Sequence, residues 1–185
     1  SSCLGGTLSK HIMKGDKQLA IEVAKEYKNA FGDDYYIEVQ PNAMKKQEEV
    51  NRILIDVAKE CNIKVVIGVD SHYVYKEDAF AHEVLLAIQT NKKITDDNRF
   101  KFDTNDMFVH SDEEIYEAFA KQGFSKEVVK EWIDNTNNIK SKCNVTIDTD
   151  TLYMPHYNGM SNEEEKLELG KRMNIWFAEN KHKID

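Results

Sequence analysis

Apolar positions along this chain change period repeatedly, and the changes mark its elements. Over residues 16–31, Ala20, Val23, Ala24, Tyr27, Ala30 and Phe31 recur at three- and four-residue steps, the spacing that lines one face of a helix. Gly32 follows as a residue able to end that helix in a left-handed turn. Tyr35-Tyr36-Ile37-Glu38-Val39-Gln40 then reads as a strand, stopped by Pro41. Residues 47–61 return to the helical period, with Val50, Ile53, Leu54, Val57 and Ala58 on one face and Asn62 placed to cap. Residues 64–69 are β-branched and nearly continuous, the pattern of a strand buried on both faces. Residues 77–89 predict a third helix. Helices and strands alternating with short connections imply parallel strands under covering helices, an α/β arrangement.

The alternation stops after about Thr90. Residues 91–109 are polar and irregular, with short β-like pieces. Ser111 with Glu114 makes a reciprocal cap for a helix reaching about Lys121, and Ser125 can cap another ending near Ser141. Cys143-Asn144-Val145-Thr146-Ile147 reads as a last strand. Met154-Pro155-His156-Tyr157 and Gly159 read as a boundary, and Ser161 with Glu164 caps a terminal helix to about Asn180. There is no internal repeat and no low-complexity tract. No apolar run approaches membrane-spanning length and no signal-peptide pattern is present, so a cytoplasmic protein with no membrane partner is expected.

Composition narrows the function classes. A length of 185 residues suits one ordinary domain, or one and a half small ones. The net charge of −8 repels phosphate at long range, so the chain alone is not expected to bind nucleic acid non-specifically. A metal could still supply positive charge locally. Cys3, Cys61 and Cys143 are scattered and form no CxxC pair, which fits a reducing compartment and thiols that are small core residues or metal ligands. The opening Ser1-Ser2-Cys3-Leu4-Gly5-Gly6 reads like the middle of a loop, and a fragment is expected.

The stretch with chemistry is Val69-Asp70-Ser71-His72-Tyr73, where the second strand runs out. Functional residues of parallel α/β sheets and barrels gather at such strand ends. Residues i and i+2 of an extended chain point the same way, so Asp70 and His72 can face one site. A carboxylate oxygen and a neutral imidazole suit Zn²⁺, Mn²⁺ or Fe²⁺. Equally, Asp70 can cap a turn and His72 can pack as a hydrogen-bonded side chain, because D-x-H is a short string.

Several ordered motifs carry a resemblance. Ser2-Cys3-Leu4-Gly5-Gly6-Thr7-Leu8-Ser9 is similar to the "SGCLSGELS"-like loop of the bacterial DNA polymerase III alpha subunit, the C-family replicative polymerase. Phe31-Gly32-Asp33-Asp34-Tyr35-Tyr36-Ile37-Glu38-Val39-Gln40 resembles its "FGDRFYLEIQ" segment, and Val69-Asp70-Ser71-His72-Tyr73 its "NDVHY". Asp78-Ala79-Phe80-Ala81-His82-Glu83-Val84-Leu85-Leu86-Ala87-Ile88-Gln89-Thr90 resembles "DAEAHDVLLCIQTG", and Cys143-Asn144-Val145 and Met154-Pro155 resemble "CNV" and "LP". Order and spacing hold from Ser2 to about Tyr157.

The resemblance implies the later part of a PHP (polymerase and histidinol phosphatase) domain over residues 1–157, with residues 158–185 a helix leading toward the polymerase core. It implies a partial, distorted β/α barrel with a metal cluster at the C-terminal ends of its strands. Mapped residue by residue, the family's late metal ligands are Cys3, Asp70 and His72, for Zn, Mn or Mg. The family's early His-x-His pair has no counterpart in this chain, so the implied site is incomplete. Its dinuclear or trinuclear chemistry, metal-dependent phosphoesterase or 3′-5′ exonuclease activity, needs more ligands. The implied partner is the remainder of the alpha subunit, or a separately encoded N-terminal half, and DNA is reached only through the full polymerase. A partial barrel also leaves strand edges and apolar faces open, so a partner, a homodimer or rearranged packing is expected. A scaffold without metal, and a stand-alone metallophosphatase of the same superfamily, are the competing functions.

Other residues carry less. Glu38 and Gln40 share a strand face near the implied barrel mouth, where they could support ligands or simply hydrogen-bond. The family often continues with Arg-His where this chain has Pro41-Asn42. His82 on its apolar helix reads as a packing residue, and Tyr73 and Tyr75 as packing at the rim. No glycine-rich phosphate loop, nucleophile elbow or palm carboxylate triad is present, so nucleotidyltransferase activity is not expected of this chain alone.

Overall fold

The structure, a computed structural model, describes residues 3–152 and 157–183. The boundary motif Met154-Pro155-His156 and the opening Ser2 lie outside the described residues. The chain divides into two compact units, Ser1–Cys143 and Asn144–Asp185.

The larger unit is mixed α/β and mostly helical. Helix α1 (Thr7–Met13) was not foreseen: it is short, and its N-cap Gly6 offers no side-chain bond. Leu8, Ser9 and Ile12 form its buried face, packed on helices α2 (Lys17–Phe31) and α3 (Lys45–Glu60). Asp16 caps α2 by accepting from the Leu19 N–H at 3.0 Å, and Gly32 ends it at φ 60°. Strand β1 (Tyr36–Val39) follows, then α3, which ends when Asn62 turns left-handed at φ 51° and Ile63 N–H donates to the Ala58 carbonyl at 2.9 Å. Strand β2 (Lys64–Ile67) pairs parallel to β1, with Ile37 opposite Val65 and Val39 opposite Ile67.

The expected parallel pairing and covering helices are therefore present. Among the described residues the sheet has two strands, joined through α3 as one β-α-β unit. Ile37, Val39, Val65 and Ile67 meet Val50, Leu54 and Val57 of α3 in a core that continues into Phe119, Val129 and Trp132. The last three come from α5 (Asp112–Lys121) and α6 (Lys126–Lys142).

The expectation of open strand edges fails on one side, for a specific reason. Helix α6 lies along β2, and its side chains replace a neighbouring strand. Asn135 Nδ2 donates to the Val65 carbonyl at 2.9 Å, and Thr136 Oγ1 accepts from the Ile67 N–H at 3.2 Å. Covering an edge with a helix removes a template for unwanted pairing.

Between the sheet and α5, a 3₁₀ turn at Lys76–Asp78 leads into α4 (Ala79–Gln89). Residues 91–109 contain no strand; they fold back on the segment after β2. Ser111 and Glu114 form the expected reciprocal cap of α5.

In the smaller unit, the expected strand over residues 143–147 does not form. Val145 and Ile147 are exposed, and a strand without a ladder partner leaves its backbone groups to water. Ser161 and Glu164 cap helix α7 (Asn162–Asn180) reciprocally, as expected, and α7 buries none of its residues.

Candidate functional site

Strand β2 leaves the sheet at Gly68, whose N–H donates to the Val39 carbonyl at 3.1 Å. No side chain fits at Gly68 while Glu38 keeps its place, because a methyl group would overlap the Glu38 carboxylate. Two residues on, Asp70 adopts φ 51°. A non-glycine residue pays a steric cost there that Asp tolerates better than most. The turn brings Asp70 Oδ1 within 3.5 Å of His72 Nε2, with both side chains about a third exposed. The i, i+2 spacing is thus realised as a convergent acid–imidazole pair.

The segment after β2 is pinned by residues 91–109. Met107, fully buried, accepts from the His72 N–H at 2.8 Å and donates its own N–H to Tyr73 Oη at 3.3 Å. Arg99, its side chain 10% exposed, bridges that segment to Glu83 of α4 and donates to the Ile94 carbonyl at 2.9 Å. Phe102 is thereby held against the pair. Its ring makes an edge contact with His72 at 5.1 Å and stacks on His82 at 5.9 Å.

His82 is a packing residue, as expected, but its neighbour was not foreseen. It meets the His72 ring edge-on at 5.2 Å and Tyr73 at 5.3 Å. Burial, and then the adjacent His72, lower the His82 pKa below the ordinary histidine value. Tyr75, expected to pack, is instead exposed.

Glu38 and Gln40 are brought together, Gln40 Nε2 donating to Glu38 Oε1 at 3.0 Å. Gln40 is held in turn by the buried Asn51 of α3. Asn51 Oδ1 accepts from the Gln40 N–H at 3.3 Å and from Gln47 Nε2 at 3.0 Å. Its Nδ2 donates to the Gln40 carbonyl at 2.8 Å and to Gln122 Oε1 at 3.2 Å. One amide side chain thus takes the place of a neighbouring strand where β1 ends. Asn51 shares the buried face of α3 with Gln47 among apolar residues.

Cys3 does not join Asp70 and His72 as a third donor. Its turn, closed by the Gly6 N–H donating to the Cys3 carbonyl at 2.8 Å, feeds α1 and leaves the thiol exposed. Among the described residues, no group of three His, Cys, Asp or Glu side chains stands where it could hold a metal ion. The described donor set is therefore a pair, and a zinc-type site takes at least three protein ligands. Among the described residues, no helix is long and apolar enough to cross a membrane.

Comparison with known proteins gives one consistent relationship. The chain is 39% identical over 147 residues to the DNA polymerase III subunit alpha of Deinococcus radiodurans, a match covering 80% of this chain and 11% of that protein. It is 35% identical over 158 residues to the Treponema pallidum subunit, covering 85% and 13%. It is 34% identical over 147 residues to the Thermus aquaticus subunit, covering 80% and 12%. The chain thus spans 11–13% of the length of these curated relatives. No protein-family model matches it.

Proposed function

We propose that this chain, homologous over most of its length to a segment of the bacterial DNA polymerase III alpha subunit, is a structural segment of the PHP-type region of such a subunit. It serves DNA replication by packing against the rest of that polypeptide. The observation that carries this reading is apolar surface exposed on a helix of each unit, among the described residues. Helix α4 buries only Ala87, while Phe80, Leu85 and Ile88 are 66%, 63% and 68% exposed. Helix α7, described by itself, exposes Leu167, Leu169, Met173, Ile175, Trp176 and Phe177. Helix α4, apolar around most of its circumference, has the pattern of a helix in the interior of a larger body.

The Asp70–His72 pair supports no separate catalytic reading. Two donors do not fit a resident Zn²⁺ or Mn²⁺, and no chemical step is assigned to them. Phosphoesterase or exonuclease chemistry in an intact subunit would draw its missing donors from outside this chain. Elemental analysis of the purified chain under metal-replete conditions is expected to find no stoichiometric Zn or Mn. Stoichiometric metal lost on His72→Ala would overturn that statement.

The packing reading is tested by association. The chain is mixed with a D. radiodurans alpha subunit from which the matching segment has been deleted, and followed by size-exclusion with light scattering. A one-to-one complex is expected. Two species that elute independently, each monodisperse, would refute the proposal.

A further inference from the structure

Helix α6 ends at Lys142, and Cys143 after it already has extended backbone, at φ −88° and ψ 115°. From Cys143 to Ile147 the chain carries no charge. Beyond that stretch Asp148 turns the chain, its carboxylate accepting from the Asp150 N–H at 3.0 Å and the Thr151 N–H at 3.1 Å. Between these two points Val145 is 85% exposed and Ile147 78%. Among the described residues, residues 144–147 make no hydrogen bond.

Water satisfies those backbone groups, but it leaves two large β-branched side chains exposed. In an extended chain Val145 and Ile147 point one way and Thr146 the other, the alternation of a strand with one covered face. Natural proteins pair, cover or charge such a stretch, because left open it templates unwanted association. Here the flanking charges, Lys142 and Asp148, lie outside it, so nothing within it opposes pairing. Apolar exposure by itself fits many partners. Joined to four successive residues with unmade backbone bonds, it fits a sheet edge, which supplies both bonds and apolar cover. A second copy of the stretch is a poor substitute, since a short two-stranded ladder is marginal in water.

We propose that residues 144–147 add as a strand to an open sheet edge in the remainder of the alpha subunit, with Val145 and Ile147 buried against apolar side chains beside that edge. The matched segment is 11–13% of the length of the curated relatives, so the rest of the subunit is the body that offers the edge. This docking mode rests on the packing role proposed for the chain, and it uses residues outside α4 and α7.

Amide hydrogen exchange at single-residue resolution is measured on the full chain alone and mixed with the D. radiodurans alpha subunit lacking the matching segment. A strand paired along one edge donates from alternate residues. Exchange slowed at least about tenfold is therefore expected either at Val145 and Ile147 or at Asn144 and Thr146, with the other two amides clearly faster. Val145→Asp with Ile147→Asp is expected to weaken the complex at least about tenfold. The same pair of changes should leave the melting temperature of the isolated chain unaltered, since both side chains are exposed there. A complex in which residues 144–147 exchange as they do in the free chain would overturn the added strand and leave the packing role standing. So would equal slowing of all four amides, or a doubly substituted chain that binds as tightly as the original. No complex at all would overturn both.

Discussion

Replacing Asn51 with alanine removes four hydrogen bonds at one buried point. The Gln47 and Gln122 side chains can rotate and recover part of the loss. The N–H and carbonyl of Gln40 cannot, because they belong to the backbone that continues β1. Gln40 is buried, and each buried group left without a partner costs about 1–3 kcal/mol. Two backbone groups and a small cavity therefore predict a loss of about 3–5 kcal/mol. With a urea m-value of about 2 kcal/mol/M, the unfolding midpoint of the chain should fall by roughly 1.5–2.5 M, read by far-UV circular dichroism. Gln122→Ala in the same background should add less than it costs alone, since Asn51 Nδ2 is then already gone. A midpoint shift below about 0.5 M, or strict additivity with Gln122→Ala, would refute the role given to Asn51 as a substitute strand.

Gly68→Ala should destabilise by about 1–2 kcal/mol, because its methyl meets the Glu38 carboxylate, and by clearly less in a Glu38→Ala background; equal losses in both would contradict the contact. The depressed His82 pKa gives a pH dependence. The unfolded chain takes up that proton first as pH falls, so stability is fully present above the ordinary value of 6.5 and declines as pH drops through the folded value. Urea midpoints between pH 7.5 and 5 should show this decline, and His82→Phe should flatten it; an unchanged slope in the variant would assign the decline elsewhere. Asn135→Ala with Thr136→Val should expose the β2 edge and raise light scattering on concentration, whereas unchanged solubility would show that the edge needs no cover.

The legible parts of this fold are those with local signals. Residues 16–31 and 47–61 carried the helical period and formed helices. Ser111 with Glu114 and Ser161 with Glu164 carried a reciprocal cap, and both bonds of each cap are present. Helix α1 was hidden because Gly6 and Gly15 frame only seven helical residues, with Leu8 and Ile12 as the sole periodic pair. The strand expected at 143–147 shows the reverse error: β-branched residues supply propensity, but a strand needs a partner. At the candidate site Asp70 does stand beside His72, but through a left-handed turn at Asp70 and not through the extended chain that the i, i+2 argument assumed. The contacts of Phe102, His82 and Asn51 join residues far apart in sequence, and no periodicity announces them. Cys3 lies in the turn that feeds α1, and no group of three donors stands together among the described residues.

In the proposed function the apolar face of α4 is an internal contact of a larger polypeptide. Phe80→Gln, Leu85→Gln and Ile88→Gln together test it, since glutamine keeps helix propensity while removing the apolar face. The decisive measurement is the thermal midpoint of a D. radiodurans alpha subunit carrying this chain in place of its own matching segment, with and without the three substitutions. A clear drop is expected in the subunit, although the same changes leave the isolated chain's midpoint unaltered or higher. A subunit that melts at the same temperature with all three glutamines in place would show that α4 faces water there too and makes no internal contact.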